Sequence, residues 1–147
     1  MRALTRLAAA LGVAAALATT ACGKDSTTAP KNEPAGEYTL RTVNGQTLPV
    51  AVIDIPDAQL EITAGHLTLS SEGLFVQSTT ITRSGGPLPS TSVSLVCSGS
   101  WARRGSAAIT LTFDANQPCA QAGAVEAAYE GDTITLTDVQ GTLVYHR

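Results

Sequence analysis

Any chemistry in this chain has to start from three cysteines, two histidines and a handful of carboxylates. Cys97 and Cys119 lack the Cys-x-x-Cys spacing of a redox dithiol, and no histidine stands near either one to complete a metal set. His66 and His146 are far apart in sequence, and each alternates with apolar neighbours, which reads as an exposed or edge histidine on a strand. Glu126, Glu130, Asp132 and Asp138 gather near the end of the chain. A glycosidase needs two carboxylates converging in a cleft, whereas three of these four fall in or beside turns, where solvated charge is the simpler reading. The Gly-x-Ser-x-Gly elbow, phosphate-cradling glycine loops and His-Glu-x-x-His are all missing from the sequence. We therefore expect a non-enzymatic chain with no catalytic, cofactor-binding or metal residue.

Cys22 belongs to a different chemistry. Arg2 and Arg6 precede an apolar, small-residue run over 7–18, and Thr19, Thr20 and Ala21 lead into the cysteine. The run is too short to span a bilayer and has the length of a signal-peptide core. This arrangement resembles the lipobox of bacterial lipoproteins, with Thr19 at the position three before the cysteine where Leu or Val is usual. The resemblance implies cleavage after residue 21, lipidation of Cys22 and a membrane anchor. An ordinary secretory signal cut at Ala21 is the other reading, and both place the folded part outside the cytoplasm. Under the sorting pattern of enteric lipoproteins, Gly23 after the lipidated cysteine implies the outer membrane of the cell envelope. In an oxidising envelope compartment Cys97 and Cys119 are then best read as a disulfide. It would close a loop of about 23 residues, for which the chain-entropy treatment gives roughly 3 kcal/mol.

These chemistries need something to carry them. Residues 23–35, GKDSTTAPKNEPA, hold two prolines and four charges but no large apolar side chain, so with Cys22 they read as a lipidated tether over 22–35. A coil of that length reaches on the order of 20 Å. The remainder, 36–147, is the size of one domain. The chain has 9 basic and 12 acidic residues, and loss of Arg2 and Arg6 with the leader makes the mature charge about −5. Arg103-Arg104 is its only adjacent basic pair, so nucleic acid is not an expected partner.

From Gly36 onward apolar residues alternate with period two between glycine-bearing turns, the pattern of strands. Tyr38, Leu40 and Thr42 share a face before Asn44-Gly45, a tight hairpin turn. Thr47 to Ile55 is extended but holds Pro49, which consigns it to an edge or to irregular structure. Shorter runs follow over 59–63 and 66–70 around Ala64-Gly65, then 74–83, a long strand over 91–103, and 108–113, 125–129, 133–137 and 142–146. A turn glycine followed by apolar-Thr-apolar recurs at unequal spacing, a hairpin grammar more than a repeat architecture.

Sequential hairpins make a meander, and a meander of this many short strands hides its edges by closing. The expected fold is all-β, an antiparallel up-and-down barrel of about eight or nine strands, with a β-sandwich as the runner-up. Six aromatic residues, Tyr38, Phe75, Trp101, Phe113, Tyr129 and Tyr145, fall one to a strand and are expected to point inward, with Trp101 among the best buried. The opening Gly36-Glu37-Tyr38-Thr39-Leu40 with Val43-Asn44-Gly45 and Leu48-Pro49, the middle Leu67-Thr68-Leu69 with Gly73-Leu74-Phe75, and the ending Leu143-Val144-Tyr145-His146-Arg147 resemble small bacterial lipoproteins with lipocalin-like barrels. The opening is also similar to the META domain of heat-shock-associated envelope proteins. Neither resemblance places a catalytic residue on this chain. The functional expectation is a lipid-anchored envelope protein acting as a binding or structural module, with a small apolar ligand or another envelope protein as its partner, and with a carrier or sensor of such a ligand and a hydrolase of unrecognised site as the alternatives.

Overall fold

The computed structural model describes residues 33–55, 57–117, 123–138 and 141–147, so Cys22 and Cys119 lie outside the described residues. Ten strands follow one another with no helix among the described residues: β1 Gly36–Val43, β2 Gln46–Thr47, β3 Val50–Ile55, β4 Ala58–Leu69, β5 Leu74–Ser84, β6 Thr91–Arg104, β7 Ala108–Phe113, β8 Ala124–Glu130, β9 Thr133–Asp138 and β10 Gly141–His146. Neighbours run antiparallel in the order β2-β1-β10-β9-β8-β7-β6-β5-β4-β3, and a further β1–β4 pairing closes eight strands into an up-and-down barrel. The short β2 and β3 are the two additions.

Local chemistry accounts for the turns. Asn44 and Gly45 both take positive φ, 52° and 79°, as a two-residue hairpin of this hand requires. Pro49 sits in the break between β2 and β3, and both strands lie at sheet edges, where a missing donor costs least. The expected turn at Ala64-Gly65 is not one. β4 runs straight through it, and Gly65 is required instead by close approach, because a Cβ there would lie 2.8 Å from Leu40 Cδ2.

Three register shifts set residues that alternation alone misplaces. Arg41 is the extra residue in β1, so Val43 turns inward and is buried while Thr42 is only half-buried, the reverse of the expected face. Val52 in β3 and Thr63 in β4 bulge likewise. The interior is packed with Tyr38, Leu67, Phe75, Ile109, Leu111, Ile134, Leu136 and Tyr145. Phe75 and Phe113 meet edge to face at 5.0 Å. Inside the barrel Gln77 Nε2 donates to the Tyr145 hydroxyl at 2.8 Å, so this buried amide has a partner.

Trp101 departs from expectation. It is half-buried, because it caps the end of the barrel where residues 33–35 enter, and its indole Nε1 donates to the Ser70 carbonyl at 2.9 Å. At the same pole Arg147 Nη2 donates to the Glu33 carbonyl at 2.8 Å, the Ala35 carbonyl at 3.0 Å and the Tyr38 hydroxyl at 2.6 Å. Its guanidinium also lies 4.9 Å from the centre of the Tyr38 ring, and Tyr38 in turn donates to the Pro34 carbonyl at 2.7 Å. The entering chain is thereby pinned to one pole of the barrel.

Candidate functional site

The opposite pole is built differently. β4, β5 and β6 are 12, 11 and 14 residues long, against six to eight for the other barrel strands, and the excess overhangs the mouth. β1 pairs with β4 only from His66 to Leu69, and β7 pairs with β6 only from Gly99 to Arg104. The earlier halves of β4 and β6 and the later half of β5 therefore form, with β3, a four-stranded lip. At about 3.3 Å per residue it projects roughly 20 Å past the rim. The bulges at Arg41, Val52 and Thr63 lie at its base and edge, where a strand must bend away from the barrel.

The lip is two-faced. On its outer side, hydroxyls cross the strands in a ladder: Thr63 to Thr82 at 3.2 Å, Thr82 to Ser92 at 2.9 Å and Thr80 to Ser94 at 3.1 Å. On its inner side, register places Val50, Ile62, Ile81 and Val93 in one apolar row across all four strands. The row passes from buried to exposed, Ile62 at 3% and Val93 at 59%. Beside it run Ile53 and Leu60, with Ile55 beyond, and Ile53 and Ile55 are about half exposed. Exposed apolar surface in a continuous patch with a polar rim is the mark of a binding surface.

Between this face and the β1–β2 hairpin lies a cleft of about 580 Å³, open to solvent, lined by Val43, Val50, Ile53, Leu60, Ile62 and Ile81, with Asn44 and Gln46 at one side. Its size falls within the range of about 300–1,000 Å³ for small-molecule sites. Of the polar pair, Asn44 is already engaged, its Oδ1 accepting from the Thr142 amide at 2.9 Å. The lining carries no charge, so the cleft can hold an apolar body but has no acid–base group to transform it.

The residues singled out in the sequence do not join this site. Cys97 is buried at the root of the lip, opposite Gln77. His66 and His146, distant in sequence, are brought onto one row, because Thr39 of β1 pairs with both. They do not converge, since the His146 ring turns to Thr133 at 3.2 Å on the far side. Glu126, Glu130 and Asp132 are exposed, the side chain of Asp138 lies outside the described residues, and no cluster of metal-ligating side chains exists among the described residues. The cleft residues were not singled out beforehand, because their grouping depends on register between strands. The one sequence signal was the length of the 91–103 strand, longer than a small barrel is tall. Comparison with protein-family models, with curated proteins and with solved structures gave no match.

Proposed function

We propose that this chain is a lipid-anchored, non-enzymatic binding module of the cell envelope, tethered through Cys22 and presenting the apolar cleft at the far end of its barrel. The observation that carries the reading is the cleft under the overhanging lip, where the apolar row continues from the buried core at Val43, Val50 and Ile62 out to the half-exposed Ile53. Polarity of the chain supports the anchor. Residues 33–35 are pinned at one pole, and β1 then runs from there to Val43 on the cleft. Its eight residues span roughly 25 Å. A lipid on Cys22 thus leaves the cleft pointing away from the anchoring membrane, toward a soluble ligand or another envelope component.

The same reading joins Cys97 to Cys119. Gln117, two residues before Cys119, accepts from the Ser98 amide at 2.6 Å and donates to the Ser98 hydroxyl at 2.9 Å. Ser98 follows Cys97 directly, so Gln117 is held next to the stretch of β6 that carries the buried Cys97.

Two measurements test the reading. Metabolic labelling with palmitate should mark the full chain and not Cys22→Ser, which should be released in soluble form or remain an unprocessed precursor. Equal labelling of both would contradict the anchor. A neutral apolar dye such as Nile red should bind the folded Cys22→Ser protein and be lost on Ile53→Asp, which places a charge on the lip. Dye binding indifferent to that substitution would refute the cleft.

A further inference from the structure

We propose that the lip takes a free, single-chain anionic amphiphile, its alkyl chain lying along the apolar row and its head group held by Arg83. The proposal rests on the cleft-binding reading and adds the ligand class. Arg83 is paired in register with Leu60 and with Thr91, which puts it on the apolar face one step farther out than Ile81. The other inner-face positions are Val50, Ile53 and Ile55 of β3, Ala58, Leu60 and Ile62 of β4, Thr79 and Ile81 of β5, and Thr91, Val93 and Leu95 of β6. Arg83 is thus the single charge on that face, while Asp54 and Glu61 fall on the other side by alternation. Among the described residues its guanidinium makes no ion pair or hydrogen bond. A cation set at the outer end of an apolar track, with no carboxylate among the strand positions of that face and the exposed Asp57 in the β3–β4 turn beyond it, is complementary to an anion carrying a hydrocarbon chain.

Size and edge chemistry separate this occupant from the others an apolar lip can attract. A water's share of liquid volume is about 30 Å³ and a methylene is of similar size, so the cleft holds ~19 such groups, the scale of one alkyl chain. A second copy packed face to face fits poorly. Four strands spaced about 4.8 Å apart over some five residues give roughly 300 Å² a side. That total is about half of the ~1,200 Å² at which stable interfaces begin. Strand addition is hindered too, because β3 is short, bulged at Val52 and preceded by Pro49. The packed interior, filled by Tyr38, Phe75 and Tyr145, directs the chain to the lip and away from the barrel core.

The test uses soluble Cys22→Ser protein titrated with dodecanoate, dodecanol and dodecyltrimethylammonium below their micelle concentrations, read by calorimetry and by amide chemical shifts. Dodecanoate should bind at one site, shift the amides of β3, β4 and β5 in the lip, and bind roughly ten- to a hundredfold more tightly than the cationic amphiphile, the scale of one charge-assisted hydrogen bond. Arg83→Gln should erase that preference while leaving dodecanol binding unchanged, and Ile53→Ser should weaken all three. Arg83 is only partly buried and Ile53 is 47% exposed, so both variants should fold. Equal affinity for anion and cation, or no effect of Arg83→Gln, would overturn the head-group assignment while leaving the cleft reading intact. Self-association through the lip in sedimentation, without amphiphile binding, would overturn the ligand class. So would uptake from phosphatidylglycerol vesicles without binding of monomeric dodecanoate, because the source would then be a membrane lipid. If neither amphiphile nor neutral dye binds, this proposal and the cleft reading fail together.

Discussion

Replacing Gly99 with alanine should be among the most damaging single-methyl additions this barrel can receive. Gly99 is buried in β6, opposite Phe75 on one side and Phe113 on the other, and the edge-to-face contact of those two rings lies over it. A Cβ at this position would run into the Thr112 carbonyl oxygen and lie 2.9 Å from Phe75 Cε1. The ring can shift by rotamer adjustment. The carbonyl belongs to the β6–β7 ladder and can move only if the backbone moves. Overpacking typically costs 1–3 kcal/mol, and a backbone obstacle puts this case at the upper end, about 3 kcal/mol. For a domain near 110 residues that lowers the melting temperature by on the order of 10 °C. Gly105→Ala is the control. It lies in the turn between β6 and β7 of the same sheet, with φ of +66° and nothing within 4 Å of the added carbon, so it feels only conformational strain of about 1 kcal/mol. Urea unfolding of soluble protein followed by far-ultraviolet circular dichroism compares the two. A Gly99→Ala loss no larger than that of Gly105→Ala would refute the close approach of β6 and β7 and the ring packing built on it.

Four further outcomes are expected. Tyr145→Phe removes the hydroxyl that accepts from Gln77 Nε2 inside the barrel and should cost about 1–3 kcal/mol, whereas Gln77→Met in the Tyr145→Phe background should recover part of it; a chemical-denaturation double-mutant cycle reads the coupling. The Tyr38 hydroxyl is held above its usual value of 10.0, first by burial, with Arg147 pulling the other way. A raised acid favours the neutral form in the folded state, so its contribution is whole below pH 10.0 and is lost as pH climbs through the folded value. Unfolding midpoints should therefore fall on the alkaline side, and more gently in Tyr38→Phe; identical alkaline profiles would count against burial of that hydroxyl. Trp101→Ala should cost less than the 3–5 kcal/mol of a fully buried ring and less than Phe75→Ala, because the indole is half-buried at the barrel end, and a melting temperature for Trp101→Ala below that of Phe75→Ala would contradict that ranking. Peptide mapping without reductant should recover Cys97 linked to Cys119, and free alkylation of both thiols would remove the staple from the account.

Much of the scaffold can be read from the sequence because its signals are local. Alternation, Asn44-Gly45 and Pro49 each act within a few residues, and they specify strands, turn and edge. Closure also follows from the strand count, since open edges are costly. What could not be read depends on pairing. The bulge at Arg41 turns Val43 inward and Thr42 aside, and nothing in GEYTLRTV marks it. Ala64-Gly65 has the composition of a turn, yet Gly65 serves the passage of Leu40 beside β4. Trp101 alternates in phase with Cys97, but its depth is set by which end of the barrel it occupies. The cleft is legible least of all. Val50, Ile62, Ile81 and Val93 come from four strands, and only their register makes them a row.

The central claim is that this barrel is a tethered module whose lip holds an apolar molecule, and native mass spectrometry of the full chain, extracted from its own membrane in mild detergent, tests it most directly. The expected spectrum shows a mass increment of covalent lipid on Cys22 together with a second, dissociable increment at one per chain that collisional activation removes and that Ile53→Asp abolishes. A chain that carries no lipid on Cys22, and whose spectrum is the same with and without Ile53→Asp, would contradict it.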